Sequence, residues 1–198
     1  MGPAAEAERL VQEGAAARVL ELGALLLDER PTVCADASRV LAELLARKPD
    51  MLVPLVDRFV EVAVAGRHRR AVELAAAALP VLARLAPSKV ARHLDTLRAS
   101  FEGASETLRD GLVRTFSALC VASVAYQKRL EPVLSAALAQ AEPKTLARWT
   151  EVALPALKGE PHAAARSVVE GRLYSIPRPV AQQIATFLGV KLRPARLA

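Results

Sequence analysis

The sequence predicts an all-α fold assembled from consecutive helical hairpins, and three observations lead there. Ala and Leu supply 70 of the 198 residues, whereas Ile, Tyr and Trp together supply five and Asn is absent. Residues that favour strands and tight hairpin turns are therefore scarce. Apolar residues recur at helical spacing in runs of about 12–18 residues, and Pro, Gly and charged clusters punctuate those runs. A hydrophobic content of 53% with 24% charge excludes a disordered chain, because enough apolar surface is available to offset the entropy of ordering.

Taken in order, the periodic runs predict helices over about 5–27 (in two pieces), 32–47, 50–65, 69–85, 88–101, 105–121, 124–139, 143–157, 161–174 and 178–188. The breaks are chemically explicit: Asp28-Glu29-Arg30-Pro31, Lys48-Pro49-Asp50, Gly66-Arg67-His68, Ala86-Pro87-Ser88, Glu102-Gly103-Ala104-Ser105, Glu142-Pro143, Gly159-Glu160-Pro161 and Ile176-Pro177. Proline opens a helix because it has no N–H to lose there, and glycine closes one because it adopts a left-handed cap.

The hairpins repeat. Breaks at Arg30, Arg67, Ala104 and Ala141 are 37 residues apart each time. Ala37, Leu41 and Leu44 in one first helix correspond to Ala75, Leu79 and Leu82 in the next, then to Leu112, Phe116 and Leu119. In second helices Leu52, Val56 and Phe59 correspond to Val90, Leu94 and Leu97. The run Ala78 to Leu82 (ALPVL) echoes at Ala153 to Leu157 (ALPAL), and Leu52-Val53-Pro54-Leu55 echoes at Leu130-Glu131-Pro132-Val133. Matched internal prolines predict a kink in each unit. Asp110-Gly111, standing where a core Ala is expected, predicts an irregular helix at that point.

This pattern resembles the HEAT/armadillo class of α-solenoid. Arg30 to Ala63 (RPTVCADASRVLAELLARKPDMLVPLVDRFVEVA) carries the resemblance best, with Pro and Val at its start, Ala in the middle of the first helix, and a Leu-rich closing turn. Pro80 and Pro155 sit where such units kink, and the period is longer than that of tetratricopeptide or ankyrin repeats. The resemblance implies one α-solenoid domain over 1–198, a superhelix of about four to five antiparallel hairpins. It divides into an N-terminal cap hairpin (1–29), units at 30–66, 67–103, 104–140 and 141–176, and a C-terminal capping helix with a basic tail (177–198).

Charge is uneven. Residues 1–66 hold 11 acids and 7 bases, residues 67–198 hold 10 acids and 20 bases, and the net charge is +6. Of the 27 bases 21 are Arg, which with abundant Ala suits a GC-rich genome, so only the excess after residue 66 asks for a functional account. In a solenoid the second helices line the concave face. With Val90, Leu94, Leu97 and Phe101 facing the core, Lys89, Arg92 and His93 fall on the opposite side. Arg58, Arg92, Arg129 and Arg166 recur one per unit, giving a candidate basic ridge of Arg58, Lys89, Arg92, His93, Arg129 and Arg166. Asp57, Glu61, Asp95, Glu131 and Glu170 on the same helices offer those cations internal partners. Arg67, Arg69 and Arg70 form a second basic cluster at a hairpin tip.

No phosphate loop, nucleophile elbow or zinc-protease motif occurs, and no cofactor is expected. His68, His93 and His162 lie on different hairpins without acidic neighbours in sequence, so no metal site is expected. Cys34 and Cys120 read as buried thiols. Glu6 and Glu8 oppose a secretory signal, and apolar runs such as Ala71 to Ala86 are broken by charge and Pro, so a cytoplasmic protein without a membrane span is expected. The leading expectation is a non-enzymatic interaction scaffold holding an acidic protein partner. The alternative is a nucleic-acid-binding solenoid, including one of DNA-glycosylase type, for which Trp149 with Glu151 is the nearest approach to an aromatic cleft and acid.

Overall fold

The structure is a computed structural model and describes residues 2–192; Arg193 and Arg196 of the basic tail lie outside that range. The described residues are all-helical, with twelve α-helices and no strand. They are α1 (Pro3–Glu13), α2 (Ala16–Leu25), α3 (Pro31–Arg47), α4 (Val56–Ala65), α5 (Arg69–Leu85), α6 (Pro87–Ala91), α7 (Leu94–Ser100), α8 (Glu106–Ala122), α9 (Val124–Gln140), α10 (Pro143–Ala153), α11 (Gly159–Arg172) and α12 (Arg178–Leu188). Short 3-10 segments cover Pro49–Leu55 and Leu154–Ala156. Proline stands in the first turn of α1, α3, α6, α10 and α12, where its fixed φ suits the helix and its missing N–H is not needed. Gly66 closes α4 at φ +57 and donates its N–H to Val62 O, a left-handed cap that glycine adopts without a Cβ penalty.

The periodic positions face inward. All fifteen residues matched between repeats, from Ala37 to Leu119 in first helices and from Leu52 to Leu97 in second helices, are at most 2% exposed. Contacts divide the chain into two compact units, residues 1–118 and 119–198, with the division inside α8. In the first unit α3 packs on α1, α2 and α5, while α5 packs on α4 and α4 on α7. In the second unit α9 packs on α11 and α10 on α12.

Three predicted elements differ in detail. The helix expected over 50–65 begins as a 3-10 segment that contains Pro54 and becomes α-helical only at Val56. The helix expected over 88–101 breaks between α6 and α7 at Arg92-His93. The expected irregularity at Asp110-Gly111 is absent: α8 runs unbroken, Asp110 accepts from Arg114 at 2.9 Å, and Gly111 has a packing role. A Cβ placed on Gly111 would lie 2.5 Å from Ala76 O and 2.7 Å from Ala76 Cα, both backbone atoms of α5. The matched prolines do not act alike. Pro80 sits inside a continuous α5, whereas Pro155 lies in the 3-10 turn that ends α10.

Among the described residues no buried side-chain nitrogen or oxygen lacks a hydrogen-bond partner. Ser38, Thr115, Ser117 and Thr150 donate to carbonyls one turn earlier on their own helices. In the second unit buried Gln127 donates to Cys120 O at 3.0 Å and accepts from Lys158 N–H at 3.0 Å, tying the end of α8 to the start of α11 through α9. Arg172 on α11 donates to Leu138, Ala139 and Ala141 carbonyls, satisfying the end of α9. Gln127→Leu leaves a buried carbonyl and a part-buried N–H without partners, which costs about 1–3 kcal/mol. Denaturant unfolding is expected to show that loss, and a variant as stable as the wild type would contradict it.

Candidate partner-binding surface

The structure distributes the predicted ridge over both units and engages much of it internally. Arg58 pairs with Glu61 at 2.6 Å, one turn along α4. Arg92 and His93, which would diverge by about 100° on a regular helix, sit at the break between α6 and α7 and both reach Asp57 Oδ1, at 2.6 and 2.8 Å. Bonds from His93 first and Arg92 second hold the Asp57 carboxyl below its ordinary pKa. This knot links the second helices of successive hairpins. Lys89 is exposed on α6, and Arg129 is exposed on α9. Arg166 pairs with Glu170 at 2.7 Å and donates to Leu188 O at 3.0 Å, satisfying the end of α12. It therefore acts as a clamp within the second unit.

The second cluster stands differently. At the corner between α4 and α5, Gly66 turns the chain, Arg67 and His68 follow, and Arg69 and Arg70 open α5. The corner is anchored from below. His68 Nε2–H donates to Asp28 O at 2.9 Å, and the Asp28 carboxylate accepts the Arg30 side chain at 2.8 and 2.9 Å and the Arg30 backbone N–H at 2.9 Å. Those bonds, the side chain's first, pull the Asp28 carboxyl down to about 2.

Two open grooves flank the corner. The larger, about 740 Å³, runs between residues 63–73 and 99–108 and is lined by Arg67, Arg69, Glu73, Ser100, Ser105 and Thr107 over a floor including Val64, Val72 and Leu108. The smaller, about 360 Å³, lies between α3 and α5 and is lined by Arg39, Arg70, Glu73 and Leu74 among others. Glu73, paired with Arg69 at 2.6 Å, lines both grooves. Ser105 Oγ accepts Leu108 N–H at 3.3 Å and so caps α8 at the groove wall. Sequence periodicity does not find these grooves, because their walls come from loop ends brought together by packing. The signal present in sequence was the Arg67-His68-Arg69-Arg70 run itself.

The other candidates separate from one another. Trp149 is 5% exposed on α10, while Glu151 faces α12 and accepts from Gln183 at 3.2 Å. The two do not converge on a cleft. Cys34 and Cys120 are both buried; desolvation raises the Cys34 thiol and pushes Cys120 up to about 12, far from a reactive thiolate. Among the described residues no His, Cys, Asp and Glu side chains gather to hold a metal, and no helix is long and apolar enough to cross a membrane. Comparison with known proteins found no matching family model, no matching curated protein and no matching solved structure.

The Asp28 anchor has a pH signature. Its folded pKa lies below the ordinary 3.8, so the stabilisation is complete above about 3.8 and is lost as pH falls through about 2. Carboxyl titration by NMR is expected to place Asp28 near 2 in the wild type and to move it toward 3.8 in Arg30→Ala. An identical midpoint in both would contradict the Arg30 assignment.

Proposed function

We propose that the chain is a HEAT-like α-solenoid acting as a non-enzymatic protein-interaction scaffold whose partner is acidic. The neighbour pattern supports the repeat reading: α3 packs on α5, α4 on α7 and α9 on α11, each a pair of equivalent helices in adjoining hairpins. Stacked hairpins of this kind present extended surface to partners. The observation that carries the functional reading is the pair of open grooves beside Arg67 and Arg70, exposed cations with no ion pair among the described residues. The nucleic-acid alternative draws less support. Arg58 and Arg92 already face carboxylates, and buried Trp149 offers no stacking surface for an extruded base.

Crosslinking of the protein in its native cells, followed by purification with and without nuclease, separates the two classes. A protein partner that survives nuclease and dissociates at about 0.5 M salt, where exposed charges are screened, is the expected outcome. Partners released by nuclease would replace the scaffold with the nucleic-acid reading.

A further inference from the structure

We infer that the α4–α5 corner is the docking site for an extended acidic peptide segment of the partner protein, an inference that rests on the scaffold reading and gives it an address. The ground is the distribution of charge. Residues 1–118 contain 14 arginines. Eleven of them are engaged: Arg109 by backbone carbonyls and the other ten by carboxylates. Among the described residues, the three without such a bond are Arg67, Arg70 and Arg84. Arg84 sits in the last turn of α5, where the helix dipole favours a cation. Arg67 and Arg70 sit at the opposite end, where the dipole is already positive, and the first turn of α5 contains no acid. Helix stability alone disfavours cations there. An anionic partner reverses that penalty.

The grooves set the form of the partner. Arg67 lines the larger and Arg70 the smaller, with the neutral Arg69–Glu73 pair between them. A chain crossing both meets cation, neutral saddle and cation in turn, while Val64, which is 52% exposed, and Val72 offer an apolar floor. An extended segment places alternate side chains on opposite sides, so carboxylates and small apolar side chains reach the two kinds of wall together. Glu102 and Glu106 are exposed beside the far wall of the larger groove. They direct the partner's carboxylates toward α5.

A short fluorescent peptide alternating Glu and Val is the probe, with a Lys/Val peptide and an oligothymidylate as comparators. The Glu/Val peptide is expected to shift the methyl signals of Val64, Val72 and Leu108. Arg67→Glu with Arg70→Glu is expected to weaken it about tenfold, and Arg84→Glu to change it less than about twofold. The neutral pair Arg67→Ala with Arg70→Ala, with unfolding curves for every variant, keeps the test valid where charge reversal disturbs folding. Equal weakening by Arg84→Glu, or tighter binding of the oligothymidylate at the corner, overturns the inference. Shifts confined to the surroundings of Arg58, Lys89 and Arg92 also overturn it but leave the scaffold reading intact. No binding at any surface overturns the docking site, while the nuclease-resistant partner decides the scaffold separately.

Discussion

The close approach of α5 and α8 at Ala76 and Gly111 governs the first unit. Pro80 lacks the N–H that would otherwise bond Ala76 O along α5, and that carbonyl lies at the close approach. Gly111 presents a hydrogen where any other residue would present Cβ 2.5 Å from the same oxygen. Glycine inside a helix costs about 1 kcal/mol relative to alanine. Here the close backbone packing requires it. One turn earlier on each helix lie Val72 and Glu73 of α5 and Thr107 and Leu108 of α8, the facing walls of the larger groove. The contact that positions the helices therefore also sets the width of the candidate binding surface.

Around that contact, charge is arranged to neutralise itself. Exposed pairs such as Arg58–Glu61 contribute little to stability, but they determine which cations remain for a partner. The Asp57 knot joins successive second helices and occupies two predicted ridge residues at once. Arg166 and Arg172 satisfy helix C-terminal carbonyls, a use that needs the directional donors of a guanidinium. Among the described residues, Arg67 and Arg70 are cations of one corner that this internal pairing leaves out.

Much of the fold was legible in the residues, since a helical period in Ala and Leu specifies which face is buried. The inward set from Ala37 to Leu119 follows from that period. Less was legible where one residue type serves different ends. Pro80 and Pro155 look equivalent in sequence, yet one sits inside a helix and the other ends one, because only α5 continues beyond its proline. Gly111 looked like a weak point because sequence reports its lost propensity and not the neighbouring backbone. The ridge arginines had the right spacing, but spacing does not say whether a guanidinium meets solvent, a carboxylate such as Asp57, or a carbonyl such as Leu188 O. The Arg67 to Arg70 run was visible, whereas the grooves beside it depend on tertiary packing.

The most direct test of the account is equilibrium unfolding of Gly111→Ala beside Gly103→Ala. A Cβ at Gly103 meets nothing within 4 Å, so that variant is expected to stay within about 0.5 kcal/mol of the wild type. Gly111→Ala gains about 1 kcal/mol of helix propensity but drives a methyl into an immovable backbone, and overpacking costs about 1–3 kcal/mol or more. A lower midpoint for Gly111→Ala than for Gly103→Ala is the predicted result. A Gly111→Ala protein more stable than the wild type, following propensity alone, would contradict the account.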